Sequence, residues 1–461
     1  MAKLMMQRTQ TAGDPDKWTL SVWIKKSKIG ADMNIFQGWV DGSNAMTIQF
    51  GANDEMQFNS TISGSSVGRL KTTRKFRDPS AWYHFTFVYD SGNASAGDRM
   101  QMWTNGVRET AFDIDTNPSS GQNTILNGSG YKNNLFCYDY DGGAAAGRFD
   151  GSFAQMAFFD GQAYTASDFG SFNGTDGIWE AKGDSILQAL TFGTNGFLLT
   201  FENSSYLGYD YQTSARSTTN DFSTTGTGIQ TQDNASNNFC TLTPLYSKVG
   251  VTYNFSNGNT VLDTSGGSGW HQASGTLGAV TGKWYYEGYA NYSPGAYNTQ
   301  LGWGSADYLN LSKADGVIGA TISKPSFGIY DVGDLMYSTD SVNSQTTSSY
   351  FSSWASGDYL MFAADLDNGR FYYGKNGTWD ATSSSNPVAG TGGYSFTPGG
   401  HTYIPMSSLY YQDIILNFGD GYFGTTSAGA TNADDNSQGV FKYDVPAGFY
   451  AICTKNIKEY G

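Results

Sequence analysis

The sequence predicts an all-β protein of two β-sandwich domains joined by an extended linker. Three observations lead there. Short runs alternate apolar and polar positions, as in Trp18-Thr-Leu-Ser-Val-Trp-Ile24, which is the period of a strand with one face buried. Gly reaches 59 of 461 residues, well above the average of roughly 7%, and with Ser, Asn and Thr it fills the gaps between aromatic and β-branched runs. Long amphipathic helical patterns are almost absent; only Thr165 to Phe172 and Trp179 to Gln188 suit short helical turns.

The elements follow in order. The first strand sets Trp18, Leu20, Val22 and Ile24 on one face and Trp23 on the other, which predicts layers on both sides. Ile35-Phe36 and Met46 to Phe50 continue the pattern. Strands Trp82 to Asp90 and Arg99 to Gly106 come next, the second ending in the hairpin signal Asn105-Gly106. Phe149 to Asp160 turns at Asp160-Gly161, and Gly196 to Phe201 closes this half.

The set "WTLSVWIKKS", "WYHFTFVYD", "MQMWTNGV" and "FDGSFAQMAFFDGQAYTASDF" resembles the laminin-G-like, concanavalin A-like jelly roll, over roughly Lys3 to Ser205. Residues 206–245 are rich in Thr, Ser, Asn and Gly, and read as a linker or extended wrapping segment too long for an ordinary loop. The domains expected are therefore 1–205 and 246–461, with 206–245 between them.

The second half begins at Gly250 to Phe255. "GKWYYEGYANYSPGAYNTQLGWG" and "SFGIYDVGDLMYS" follow. Gly357 to Trp379 then reads as a buried strand, a turn at Asp367-Asn368-Gly369, a second strand and a further turn at Asn376-Gly377. The turn chemistry predicts a two-residue or bulged hairpin loop at the first of these. "YIPMSSLYYQDIILNFG" comes last. Together these resemble the SPRY domain, a two-sheet sandwich whose resemblance implies protein-binding loops and no enzymatic activity, with "GVFKYDVPAGFYAICTKN" as a closing segment. In this order, with the "NNFCTLTP" join, the two halves are similar to structural proteins of tailed bacteriophages. That resemblance implies a virion location, assembly in the host cytoplasm, release by lysis and other virion proteins as partners.

Composition narrows the function. A net charge of −15 disfavours nucleic acid as a partner, because binding phosphates needs clustered Lys and Arg. The one basic run, Arg69 to Arg77, reads as an exposed loop or edge strand. No apolar run suits membrane insertion and Met1 to Arg8 lacks a leader's apolar segment. Three cysteines, Cys137, Cys240 and Cys453, read as buried thiols rather than a disulfide framework.

No catalytic residue is assigned. The histidines, His84, His271 and His401, have no metal-type partners at short spacing, and His84 reads as structural. Gly64-Ser-Ser-Val-Gly68 has the nucleophile-elbow spelling but lies in a Ser/Gly loop. A retaining glucanase needs paired acids on a strand; only Asp113-Ile-Asp115 offers them, with no following Glu. No cofactor is expected apart from calcium, for which Asp139, Asp141 and Asp150 around a Gly-rich loop are the candidates, with a solvated turn as the plainer reading. Ligand contact is expected from aromatic residues in loop-like stretches, namely Tyr289, Tyr292, Tyr297, Tyr308, Tyr330 and Trp379, with core packing the competing reading for each. The expectation is a non-catalytic phage surface protein, a tail fibre or tail-associated adhesin, forming a homo-oligomer and contacting a host-surface glycan or protein. A capsid decoration or connector without receptor binding is the alternative, and a polysaccharide depolymerase the third reading.

Overall fold

The period-two pattern holds in space. Trp18, Leu20, Val22 and Ile24 lie on one face of the strand Lys17–Lys26, and all four are fully buried. Trp23 on the opposite face is buried too, so this strand has a layer on each side. The computed structural model describes residues 4–138, 147–212, 220–246, 253–264, 269–291, 299–311, 316–320 and 322–461. The chain is all-β and divides into two units. Unit 1 comprises Met1–Gln230 with Asn234–Ser236, and unit 2 comprises Thr231–Asp233 with Asn237–Gly461.

Unit 1 is a sandwich of two antiparallel sheets. Its eight-stranded sheet runs, edge to edge, Phe112–Thr116, Ser65–Lys75, Glu55–Ile62, Asn44–Phe50, Met33–Asp41, Lys132–Leu135, Met5–Thr9 and Ser223–Thr225. Its six-stranded sheet runs Phe197–Leu199, Gly151–Asp160, Lys17–Lys26, Trp82–Asp90, Met100–Thr104 and Val107–Arg108. Rings from both sheets meet between them. Trp18 stacks on Tyr89 at 5.7 Å and meets Phe58 of the other sheet at 5.4 Å. Burying a ring the size of Phe58 stabilises by roughly 1.5–3 kcal/mol. A second apolar layer covers the outer face of the six-stranded sheet, where Phe159 and Leu198 pack on Phe169, Leu187 and Phe192.

Unit 2 is a second sandwich. Its nine-stranded sheet centres on Asp413–Asn417, Lys283–Ala290, Tyr359–Asp365 and Arg370–Lys375. Its six-stranded sheet runs Trp270–Ser274, Tyr403–Tyr410, Thr299–Ser305, Ser326–Tyr330, Leu335–Ser338 and Gln345–Thr347. Trp284, Tyr286, Trp303, Phe327 and Phe362 fill the interior.

Turn chemistry sets the hairpins. Asn105 and Gly106 both take positive φ (47° and 78°), as do Asn376 and Gly377 (52° and 82°), so each pair makes a two-residue loop. The loop at 366–369 differs from expectation. Four residues separate the paired Asp365 and Arg370, and the Asp365 carboxylate accepts the Asn368 N–H at 2.9 Å. Only Gly369 there has positive φ.

Three further features have physical reasons. The basic run belongs to Ser65–Lys75, which is paired on both sides and is not an edge strand. Most of its cations face acids, Lys71 with Glu55 at 3.3 Å, Arg74 with Glu109 at 3.2 Å and Arg77 with Asp54 at 3.0 Å, while Arg69 bonds the Gln57 side-chain oxygen at 3.0 Å. Trp179 begins a strand, Trp179–Ala181, and the helical turn starts only at Asp184–Gln188. Within 206–245, few large apolar residues are present, yet they are anchors. Phe222 is fully buried in unit 1, where Ser223–Thr225 pairs with Met5–Thr9, while Phe239, Cys240 and Leu242 are buried in unit 2.

Candidate functional site

The outer face of the six-stranded sheet of unit 1 carries a pocket of about 410 Å³. Strand Met100–Thr104 brings Trp103 to it, and the Asn105-Gly106 turn brings Gly106. Helix Ala166–Phe169, started by a capping box between Thr165 and Asp168, sets Thr165 and Ser167 on the rim. The hairpin Gly170–Phe172/Trp179–Ala181 supplies Phe172 and Trp179, and Lys182 follows it.

Trp179 is the rigid wall. It is 9% exposed, and its indole Nε1–H donates to Nδ1 of His84 at 3.1 Å. A ring nitrogen that accepts carries no proton, so His84 holds its proton on Nε2 and donates it to Ser21 Oγ at 2.8 Å. Burial pulls His84 down to about 3, which keeps the ring neutral in this role. Gly106 and Gly170 flank Trp179 so closely that a Cβ on either would stand 2.3 or 2.5 Å from the indole. Phe172 meets Trp179 edge-on at 5.0 Å and keeps 52% of its surface open. It forms the accessible wall.

Polar groups surround these rings. Lys182 donates to the Ser167 carbonyl at 2.6 Å, leaving two further ammonium hydrogens. The Trp103 indole N–H is buried without a hydrogen-bond partner among the described residues. Aromatic faces with hydroxyl and ammonium donors can stack a sugar ring and bond its hydroxyls. The lining contains no carboxylate, histidine or cysteine, so it offers no acid–base pair for hydrolysis.

The residues singled out from the sequence do not gather in one place. Tyr292, Tyr297, Asp139 and Asp141 lie outside the described residues. Asp150 is partly buried, and its carbonyl accepts the Ser27 N–H at 2.9 Å. Among the described residues no group of three or more metal-type ligands occurs. Tyr308 takes the core-packing alternative: it is fully buried, and its hydroxyl donates to the Val317 carbonyl at 2.6 Å, away from any surface ligand. Tyr289 packs on Tyr359 at 4.8 Å, Tyr330 on Trp270 at 5.9 Å, and Trp379 on Tyr285 at 6.5 Å; all three are partly buried. Sequence reasoning did not single out Trp103, Phe172, Trp179 or Lys182. The available signal was a tryptophan beside Asn105-Gly106, and a Phe and a Trp bracketing the turn at Asn173-Gly-Thr-Asp-Gly177.

One family model matches within this same unit. Residues 6–168 match the concanavalin A-like lectin/glucanases superfamily. The match spans less than half of the chain and stops short of the hairpin that carries Phe172 and Trp179. Among solved structures, the SPRY domain of human HERC1 is 17% identical with a TM-score of 0.28, covering 38% of this chain and 96% of that one. Domains LG4-5 of the mouse laminin α1 chain are 9% identical with a TM-score of 0.27, covering 90% and 88%. A Bacteroides ovatus protein provisionally described as carbohydrate-binding is 12% identical with a TM-score of 0.30, covering 50% and 59%. No curated protein sequence matches the chain.

Proposed function

We propose that this chain is a non-catalytic binding protein that holds a glycan in the aromatic pocket of unit 1. The observation that carries the reading is the pairing of a fixed Trp179 with an open Phe172 above a polar rim that lacks carboxylates. The superfamily matched by residues 6–168 is named for lectins as well as glucanases, and the absence of acids from the lining favours the lectin side. The order of the two halves along the chain supports a place on the virion of a tailed bacteriophage, as a tail fibre or tail-associated adhesin. In that setting a symmetric oligomer would turn weak sugar contacts into firm host attachment.

The test is titration of the purified chain against host-surface oligosaccharides, beside Phe172→Ala. Losing the open wall is expected to weaken binding about ten-fold, on the order of 1.4 kcal/mol. Thermal stability should stay within about 0.5 kcal/mol, because so exposed a ring contributes little to folding. Undiminished binding by the variant would remove the pocket from the reading. Virions that no antibody against the chain labels would remove the phage location.

A further inference from the structure

Lys26 closes strand Lys17–Lys26 of the six-stranded sheet in unit 1. Asp54 sits in the turn between Asn44–Phe50 and Glu55–Ile62 of the eight-stranded sheet. Their side chains are 1% and 2% exposed, and Lys26 Nζ stands 2.8 Å from Asp54 Oδ1. The amine lies over the Phe50 ring at 4.3 Å. An amine and a carboxyl held in contact with both side chains buried are reactants already brought together, the condition under which effective molarities become very large.

We propose that Lys26 and Asp54 condense to an amide, a covalent staple between the two sheets of unit 1. The nucleophile is Nζ and the electrophile is Cγ of Asp54. A proton passes along the Nζ···Oδ1 hydrogen bond, giving a neutral amine beside a neutral carboxyl. Nζ bonds to Cγ while Oδ2 carries the developing negative charge, and Arg77 Nε donates to Oδ2 at 3.0 Å. Oδ1 takes a second proton from nitrogen and leaves as water. No oxidant, reductant or co-reactant enters.

The product's hydrogen bonds are in place beforehand. The amide N–H points to the Phe76 carbonyl, which Lys26 Nζ already reaches at 3.0 Å, and the amide oxygen keeps Arg77. Gly30 N–H, which donates to Oδ1 at 2.8 Å, loses its partner, but Gly30 is exposed and water replaces it. Condensation also removes a buried charge pair, whose desolvation opposes folding. Burial pulls Lys26 down and so favours the amine. Burial raises Asp54 as well, yet the donors Lys26, Gly30 and Arg77 outweigh it and hold the carboxyl below its ordinary value. The resting state is therefore the ion pair, and the amide forms slowly through the minor neutral pair.

Mass spectrometry of the folded full chain after prolonged incubation tests this. The expected result is a mass lower by one water, with a branched peptide joining residues 26 and 54 after digestion. Lys26→Arg keeps a cation over Phe50 and should show the full mass. A full mass in the unaltered chain, or a map without the branched peptide, overturns the proposal. A deficit that persists in Lys26→Arg also overturns it, because Asp-Gly sequences such as Asp41-Gly42 lose the same water as succinimides. If Lys26→Arg does not fold, the peptide map of the unaltered chain decides alone.

Discussion

Arg8 of unit 1 and Glu287 of unit 2 are both buried charges on strands inside their sheets, and both fasten irregular chain that no strand ladder holds. Their signs are opposite. Arg8 lies between the rings of Phe197 and Phe222, at 4.8 Å from each, and donates to the carbonyls of Asn195 and Asn220. Glu287 accepts from Tyr285 hydroxyl at 3.0 Å, from Asn417 at 3.2 Å, and from the backbone N–H groups of Lys442 and Tyr443 at 2.9 and 2.8 Å. The difference follows from which backbone group each segment turns inward. Carbonyls require a donor, and N–H groups require an acceptor; an unmatched group of either kind is costly in a dry interior. Burial acts on both charges, pulling Arg8 down to about 9 and pushing Glu287 up to about 7.

The comparison can be broken most severely at Glu287. Glu287→Ala strands four donors and should destabilise unit 2 by about 4 kcal/mol, read from denaturant unfolding. A loss under about 1 kcal/mol would mean that water or a rearranged strap satisfies those donors. Arg8→Met should cost less, about 2 kcal/mol, because the thioether chain still fills the space between two rings while the carbonyls go unpaired. If Arg8→Met proves as costly as Glu287→Ala, the rings rather than the carbonyls define the cation's role.

The smallest effect expected is on the slope of stability with pH. Glu287 is raised above its unfolded value of 4.5, chiefly by burial. Asp413 is raised to about 7 from 3.8, first by burial and then by Asp263, which faces it across the strand pair. Between those values the folded state binds protons that the unfolded chain has released. The contribution of both groups is therefore most favourable at low pH and declines as pH rises from about 4 to 7. Melting curves across that range should show the decline, and Asp413→Asn should flatten it. An unaltered slope in Asp413→Asn would mean that neither burial nor Asp263 raises Asp413 in the folded chain. His84 of unit 1 opposes this slope: burial keeps its folded ring neutral down to about 3, while the unfolded ring is protonated below its ordinary value of 6.5, so its contribution grows as pH rises through the window and offsets part of the decline.

Several features were legible in the sequence because their causes are local. Trp18, Leu20, Val22 and Ile24 share a face because a pleated strand alternates every residue. Asn105-Gly106 and Asn376-Gly377 make two-residue turns because those residues tolerate positive φ. Tyr308 shows the reverse: the sequence left loop contact and core packing both open for it, and only the fold shows its hydroxyl finding the Val317 carbonyl and its ring packing with Ile318 and Met406.

The pocket belongs to the second kind. Trp103 and Trp179 come together only because a hairpin folds across the outer face of the six-stranded sheet. The proton position on His84 is decided by an indole 95 residues away. The sequence by itself determined the strand faces, the hairpin turns and the two-sandwich, all-β class, since pleat geometry and backbone sterics act between near neighbours. Tertiary structure alone decided where the binding walls meet and which charges are buried, because a hydrogen bond or ring contact between distant segments depends on a register that no local pattern specifies.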